Sequence, residues 1–593
     1  MSEHSAELGS GLRSRFAPAT WFSQNCAFRW IFGQDSANAW AACGVIVHGW
    51  GVHRQAFFGL GYYFYLEEQK KREATRKDIF DEGDEQTFVN WSGTHQVTTR
   101  RFLQPENIEE LERLVMKSHV NKAKLRVMGA GLSPNGIGHD AEGMLSLALM
   151  DKVLYVDNRK CQVTVQAGAR VSQVLEALKP HGLTLQNLAS INEQQIGGFV
   201  QVSAHGTGAT LLPVDEQVVG ITLVTPGQGT LRLHRDDPED AELMSMCRVG
   251  IGALGVVADV TLQCVPYHTL VERTWVSYRA EVERDHAKLL ASNRHIRYMW
   301  IPYTDRVVVV ASNPALPWWH PFRPAEIVRN RLRTPSGDDE YKTAPMRALL
   351  VAETARRESG DSATVSSNVG AWLSIPQLRD ALLRLAPLEQ AHVRAVNAAE
   401  ADCWQRAAGV REAPSEEVLG FECGGQQWVS EVAFPAGRVG APDGRDLDYM
   451  RTLTGLLEAA HVPSPAPIEQ RWTCASSSRM SPAHGQRGDE LFSWVGIIMY
   501  LPEAEEDLAL RPQITAAFKS YKELCREGLW GLFGAHEHWA KIEAPEDPAA
   551  LAAVRSRLAE RFPAADFIAL RRRLDPHNIL ANHLVNSLFP IEP

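Results

Sequence analysis

An α+β fold spread over two or three domains is what this sequence predicts, and three observations predict it. At 593 residues the chain exceeds what one ordinary core organises. From about Asn90 short strand patterns alternate with helical ones. Two glycine-rich loops, separated by a strand pattern and a helix pattern, then imply two backbone surfaces converging on one extended ligand.

The elements follow in order. Residues 10–30 carry Arg13, Arg15 and Arg29 without an acid, interleaved with Phe16, Trp21, Phe22 and Phe28, so residues 1–38 read as a targeting or partner-binding segment. Residues 39–66 are apolar and glycine-rich but interrupted by His48, His53, Arg54 and Gln55. A central arginine costs roughly 3 kcal/mol on insertion scales, so this stretch is read equally as a membrane contact or as a packed or partner-bound hairpin. The charged run within 67–89 reads as a linker. His95 to Leu103 alternates as a strand, and Ile108, Leu111, Leu114 and Val115 after Pro105 have helical spacing. Lys124 to Met128 reads as a strand running into Gly129-Ala130-Gly131-Leu132-Ser133-Pro134-Asn135-Gly136, whose uncovered N–H groups can cradle a pyrophosphate. Pro134 stands where a Rossmann fingerprint needs its third glycine, and no Gly-Lys-Ser/Thr follows, so this loop alone is weak. The second loop, Ala189 to Gly198 leading to Ala204-His205-Gly206-Thr207-Gly208, follows a strand at Val163 to Gln166 and a helix at Val171 to Leu178. Gly252-Ala253-Leu254-Gly255-Val256-Val257 supplies a third.

Composition removes other classes. Hydrophobic and charged contents of 45% and 22% are ordinary for globular chains, which argues against disorder or a polytopic membrane protein. A net charge of -10 without a clustered basic segment disfavours nucleic acid and suits a basic protein partner. The nine cysteines are scattered and contain no C-x-x-C pair, which argues against a disulfide framework and a zinc site; no metal is expected.

Taken together, the glycine loop, the Gly-Gly and Ala-His-Gly-Thr-Gly run and the Gly-Val-Val before an alternating strand resemble the FAD-binding domain of the vanillyl-alcohol oxidase family, and within it the aldonolactone oxidoreductases. Blocks at Gly131 to Gly138, Leu185 to Gly208, Gly420 to Glu431, Ile468 to Thr473 and His538 to Glu543 are similar to the plant-type galactonolactone dehydrogenases, and the likeness covers roughly 90–593. The resemblance implies an FAD-binding domain of two subdomains (PCMH type) over 90–265. It further implies an α+β substrate or cap domain over 266–530 and a segment, 531–593, that returns to the flavin and contains Asp575-Pro576-His577-Asn578 and Asn582. Residues 329–370, polar and without apolar periodicity, read as an exposed insertion or docking surface.

The same resemblance assigns residues. FAD falls to Met128, Gly129, Ala130, Gly131, Leu132, Ser133, Pro134, Ala189, Ser190, Gln195, Gly197, Gly198, Ser203, Ala204, His205, Gly206, Val256, Val257, His538 and Lys541. Leu132 occupies the place of the flavin-linking histidine of covalent relatives, so a non-covalent FAD is expected. Ala189, where several oxidases carry glycine, is expected to narrow the approach of oxygen. In Pro467 to Thr473 a period of two puts Glu469, Arg471 and Thr473 on one face. Alone this is more often a same-face ion pair; the family's Glu-x-Arg makes it the substrate pair. His538-Trp539-Ala540-Lys541 resembles the family's His-Trp-x-Lys.

Oxidising an alcohol beside a lactone carbonyl needs a proton acceptor within hydrogen-bond reach of the hydroxyl, a hydride acceptor, and positive charge for the developing alkoxide. Glu469 and Lys541 both qualify as the acceptor, with Arg471 balancing charge and Ser190 facing the reacting edge. Cys423 is read as bordering the substrate channel. The resemblance implies L-galactono-1,4-lactone as the substrate. The resemblance further implies cytochrome c as the acceptor, the mitochondrial inner membrane facing the intermembrane space as the location, and a link to respiratory complex I. An oxygen-using aldonolactone or alditol oxidase and a flavoprotein subunit or assembly factor of complex I are the alternatives.

Overall fold

The computed structural model describes residues 83–316, 320, 338–357, 373–421 and 423–591. The readings of 1–38 and 39–66, and most of 67–89, lie outside the described residues. So does much of 329–370.

The first glycine loop grows out of a small parallel sheet. Met144–Ser146 lies at its centre, between Phe102–Leu103 and Arg126–Met128. The helix Ile108–Val120 connects its two outer strands, capped by Asn107 through the Glu110 N–H and burying Leu111, Leu114, Val115 and Ser118. The single strand predicted over His95 to Leu103 is divided. Gln96–Thr99 pairs with Gln86–Val89, whereas Phe102–Leu103 joins the parallel sheet. Thr99 Oγ1 accepts the Arg101 N–H at 3.2 Å, a local bond that replaces the ladder and turns the chain between sheets.

The second layer is a five-stranded antiparallel sheet in the order Gly229–His234, Val218–Thr225, Val256–Gln263, Gln162–Gln166, Val153–Asp157. Val163 and Val165 alternate inward, and the helix Val171–Leu178, with the bounds the sequence predicts, buries Val171, Val174, Leu175 and Leu178. Its core includes Trp539, Ile542, Val554, Phe567, Leu580 and Phe589, so the apolar side chains near the end of the chain pack with this part.

That following sheet is antiparallel. Its path runs Gly409–Pro414, Thr269–Tyr278, Arg306–Pro314, His295–Trp300, Ile468–Cys474, Glu490–Tyr500, Gln427–Arg438, Ala441–Pro442, and His536–Glu537 also pairs with Gln427–Arg438. Its far face holds a separate core of Trp472, Phe434, Tyr298 and Tyr521. Part of the stretch read as a polar insertion is a helix, Asp338–Arg357, that buries Met346 and Leu350 with Leu378, Leu382 and Val393. Only two buried apolar positions are needed because two other helices supply the rest of that cluster, which is why no periodicity flagged it.

Candidate functional site

A cavity of about 520 Å³, within the range of ligand sites, lies between the glycine loops and the near face of the large sheet. Met128 to Pro134, Ala189, Ser190, Gln195, Gly197, Gly198, Ala204, His205, Gly206, Val257, Glu469, Arg471, His538 and Lys541 all line it. Two expected residues do not. Ser203, at φ 61°, is fully buried with Oγ on Asp215 and Ser481, and Val256 faces the opposite side of its strand from Val257.

The loops are held together by buried polar side chains on backbone carbonyls. Arg126 donates to Ile137 O, Gly252 O, Leu580 O and Ile251 O at 2.6–3.1 Å, tying the first and third glycine loops to the chain end. Asn582 Nδ2 donates to Gly136 O, Ile137 O and His139 O, and Asn135 Nδ2 to Trp539 O and Ile542 O. The turn carrying His538 and Lys541 is thereby fixed to the first glycine loop. Gly206, at φ 72°, has Asn187 Oδ1 only 2.0 Å from where a Cβ would stand, so no other residue fits.

The charged wall is built on adjacent strands. Glu469 and Arg471 face the cavity while Ile468 and Trp472 enter the far core, as period two requires. Register pairs Gly496 with both Glu469 and Glu431, so a residue without a side chain separates two carboxylates. Glu431 is the hub. Its Oε1 accepts from Arg471 Nη2 at 3.0 Å and lies 3.1 Å from His205 Nε2, and its Oε2 lies 2.7 Å from Lys541 Nζ. Burial works to raise this carboxyl, but Lys541, His205 and Arg471 hold it well below the usual range. The histidines are pushed down: His205 by burial and Arg471 against Glu431, His538 by burial and Lys541. Two acids, Glu431 and Glu469, face three cations, Arg297, Arg471 and Lys541, so with neutral histidines the wall carries one net positive charge. His205, Glu431 and His538 have ligand-type atoms within 4.8 Å of one another, but the cations on Glu431 make this a poor metal site.

Glu469 is held more loosely, at 3.4 Å from Arg471 Nη2 and 3.4 Å from Arg297 Nη1, and Arg297 stacks on Phe421 at 3.6 Å. Cys423 lines the same cavity; burial and then Glu469 push its thiol up to about 11. Sequence reasoning missed Glu431, Arg297 and Asn135. The signal for Glu431 was there, since an acid in the run Trp428 to Phe434 alternates in phase with Gln427 and Val429, which also line the cavity.

The residues fit FAD. A Cβ built on Gly131 or Gly198 meets nothing within 4 Å, so both backbones present open faces to the cavity, and Gln194 Oε1 and Arg471 Nε are buried there without hydrogen-bond partners. The fold and this cradle define the class: a flavoprotein with a two-subdomain FAD-binding domain and an α+β cap.

The comparisons agree. Residues 99–233 match the FAD binding domain family, and 260–323 and 344–588 match the D-arabinono-1,4-lactone oxidase family. Cholesterol oxidase from B. sterolicum superposes with a TM-score of 0.62 at 16% identity, covering 85% of this chain and 97% of that one, a likeness of fold. Mitochondrial L-galactono-1,4-lactone dehydrogenase of Arabidopsis thaliana is 48% identical over 539 residues, 90% of this chain and 87% of that protein. L-gulonolactone oxidase of Bos taurus is 26% identical, covering 85% and 98%. The chain is an FAD-dependent oxidoreductase and belongs to the aldonolactone oxidoreductase family.

Proposed function

We propose that this protein oxidises L-galactono-1,4-lactone to L-ascorbate and passes the electrons to cytochrome c. The observation that carries the reading is the convergence of Glu469, Arg471 and Lys541 on one cavity wall around Glu431. Bound FAD supplies the acceptor for the hydride leaving the carbon beside the lactone carbonyl. Glu469 takes the hydroxyl proton. Its two ion contacts are long and leave lone pairs toward the cavity, whereas Lys541 is already spent on Glu431. Lys541 orients the hydroxyl through its remaining N–H donors, and Arg471 balances the charge of the developing alkoxide. Ser190, beside Cys423 in the lining of the same cavity, is assigned to the reacting edge. Leu132 has no nucleophile to link a flavin, so affinity comes from hydrogen bonds and burial.

Ala189, half-buried at the cavity, supports restricted oxygen access and therefore dehydrogenase over oxidase chemistry. The net charge of -10 suits a basic acceptor. Two relatives that carry the name L-galactono-1,4-lactone dehydrogenase, from Arabidopsis thaliana and Brassica oleracea, are named as mitochondrial, which supports a mitochondrial location. A site on the inner membrane facing the intermembrane space, with association to respiratory complex I, is part of the proposal and draws on the apolar stretch 39–66. Among the described residues no helix is long and apolar enough to cross a membrane.

Turnover of the lactone with cytochrome c or with oxygen as sole acceptor tests the proposal. Cytochrome c reduction well above peroxide formation supports it; the reverse makes the protein an oxidase. Co-migration with complex I in mild detergent checks the association, and its absence removes it.

A further inference from the structure

The cavity has a second polar pole that the chemistry above does not use. Gly496, Ile498 and Tyr500 line it along one face of their strand, which passes between Glu469 and Glu431 at Gly496 and ends at Tyr500, paired with Gln427. That is four residues, about 13 Å of strand at ~3.3 Å per residue. At this end the helices Ile375–Leu385 and Gln390–Ala407 bring in Arg379 and Glu400. Both line the cavity, and their side chains are 6% and 1% exposed.

The pair is bonded on one side only. Glu400 Oε1 accepts from Arg379 Nη1 at 3.2 Å and from Trp404 Nε1 at 3.3 Å, while Oε2 is buried with no hydrogen-bond partner. Arg379 lays its guanidinium on the Tyr500 ring at 4.3 Å, and its Nε also lacks a hydrogen bond, Asp380 standing 3.9 Å away. Buried ion pairs built for stability have their remaining lone pairs and protons satisfied; here an acceptor and a donor are both left over.

We infer that Arg379 and Glu400 hold the exocyclic hydroxyls of the substrate, selecting lactones that carry a hydroxylated tail. The inference rests on the reading of this cavity as a lactone site. A hydroxyl donates and accepts at once, so it satisfies Glu400 Oε2 and Arg379 Nε together. An anionic tail meets Glu400, and a cationic tail meets Arg379, whose charge Glu400 and, at 3.9 Å, Asp380 already oppose. The 13 Å between the poles accommodates a five-membered ring, a two-carbon tail and a hydrogen bond of about 2.8 Å at each end.

Steady-state kinetics of the flavin-loaded protein with six-carbon L-galactono-1,4-lactone and with the four-carbon lactone of the same ring configuration and no tail tests this. Glu400→Gln and Arg379→Lys are expected to lower kcat/KM for the six-carbon lactone at least about tenfold, chiefly through KM, and to leave the tail-less lactone within about threefold. Equal losses on both substrates, or none, overturn the inference and leave the pair a structural one. Should the variants lose flavin, the unaltered protein still decides: kcat/KM falling about tenfold for each tail hydroxyl replaced by hydrogen supports the inference, and unchanged values overturn it. If neither lactone reduces the flavin of the unaltered protein, the premise itself has failed.

Discussion

Single side chains carry the chemistry, and Glu431 organises them. Glu431→Gln keeps the shape but removes the charge that Arg471 and Lys541 oppose, leaving Lys541 without its carboxylate and Arg471 with only the longer contact to Glu469. A fall in kcat of about 10²-fold or more is expected with flavin retained, measured by turnover against flavin absorbance; unchanged kcat would show that the hub is only structural. Glu469→Gln should abolish proton acceptance and lower kcat by about 10²–10⁴-fold, with little change in flavin content. Were Lys541 the base instead, Lys541→Met would show the larger loss in kcat and Glu469→Gln mainly a raised KM. Cys423, its thiol pushed up to about 11, is expected to react slowly with iodoacetamide at pH 7 and faster as pH rises, losing activity in step with labelling and protected by substrate. Full activity after complete labelling would place the thiol outside the substrate path.

At the scale of elements, the glycine loops, the strand carrying Glu469 and Arg471, and the helix Val171–Leu178 were legible because each has a local cause: positive φ, a period of two, a period of 3.6. What holds them in place was not. Arg126, Asn135 and Asn582 bond carbonyls more than a hundred, and up to about 450, residues away, and nothing in a local pattern announces such partners. Ser203 falls outside the cavity lining for the same reason, since its neighbours in sequence face the cavity while its own Oγ closes on Asp215 and Ser481. Arg126→Met leaves carbonyls of two glycine loops and the chain end unpaired, and a loss of about 3–5 kcal/mol is expected from the unfolding midpoint, with FAD released at lower temperature. A shift under 1 kcal/mol would mean that these loops are held by packing alone. Ala189→Gly should speed reoxidation of the reduced protein by air, read by stopped-flow; an unchanged rate would remove the restriction assigned to that methyl group.

For the whole molecule, buried neutral histidines set the acid limit. His295 is held down to about 4 by burial, and His205 and His538 are also depressed. Below pH ~6.5 the unfolded chain binds protons that these rings refuse, so stability is full above ~6.5 and falls as pH drops toward 4, by up to about 3 kcal/mol for His295. Denaturant midpoints at pH 7.5 and 5 check the sign, and equal midpoints would contradict it. The large sheet and the glycine-loop part both supply the cavity wall, and the central claim concerns that junction: the protein's flavin is reduced by an aldonolactone held there. The most direct measurement is anaerobic mixing of the yellow protein with L-galactono-1,4-lactone, followed by oxidised cytochrome c. The account expects saturable bleaching that Glu469→Gln slows at least about a hundredfold, reversed quickly by cytochrome c and slowly by air. A flavin that stays oxidised with the lactone, or bleaches equally fast in the Glu469→Gln variant, would contradict it.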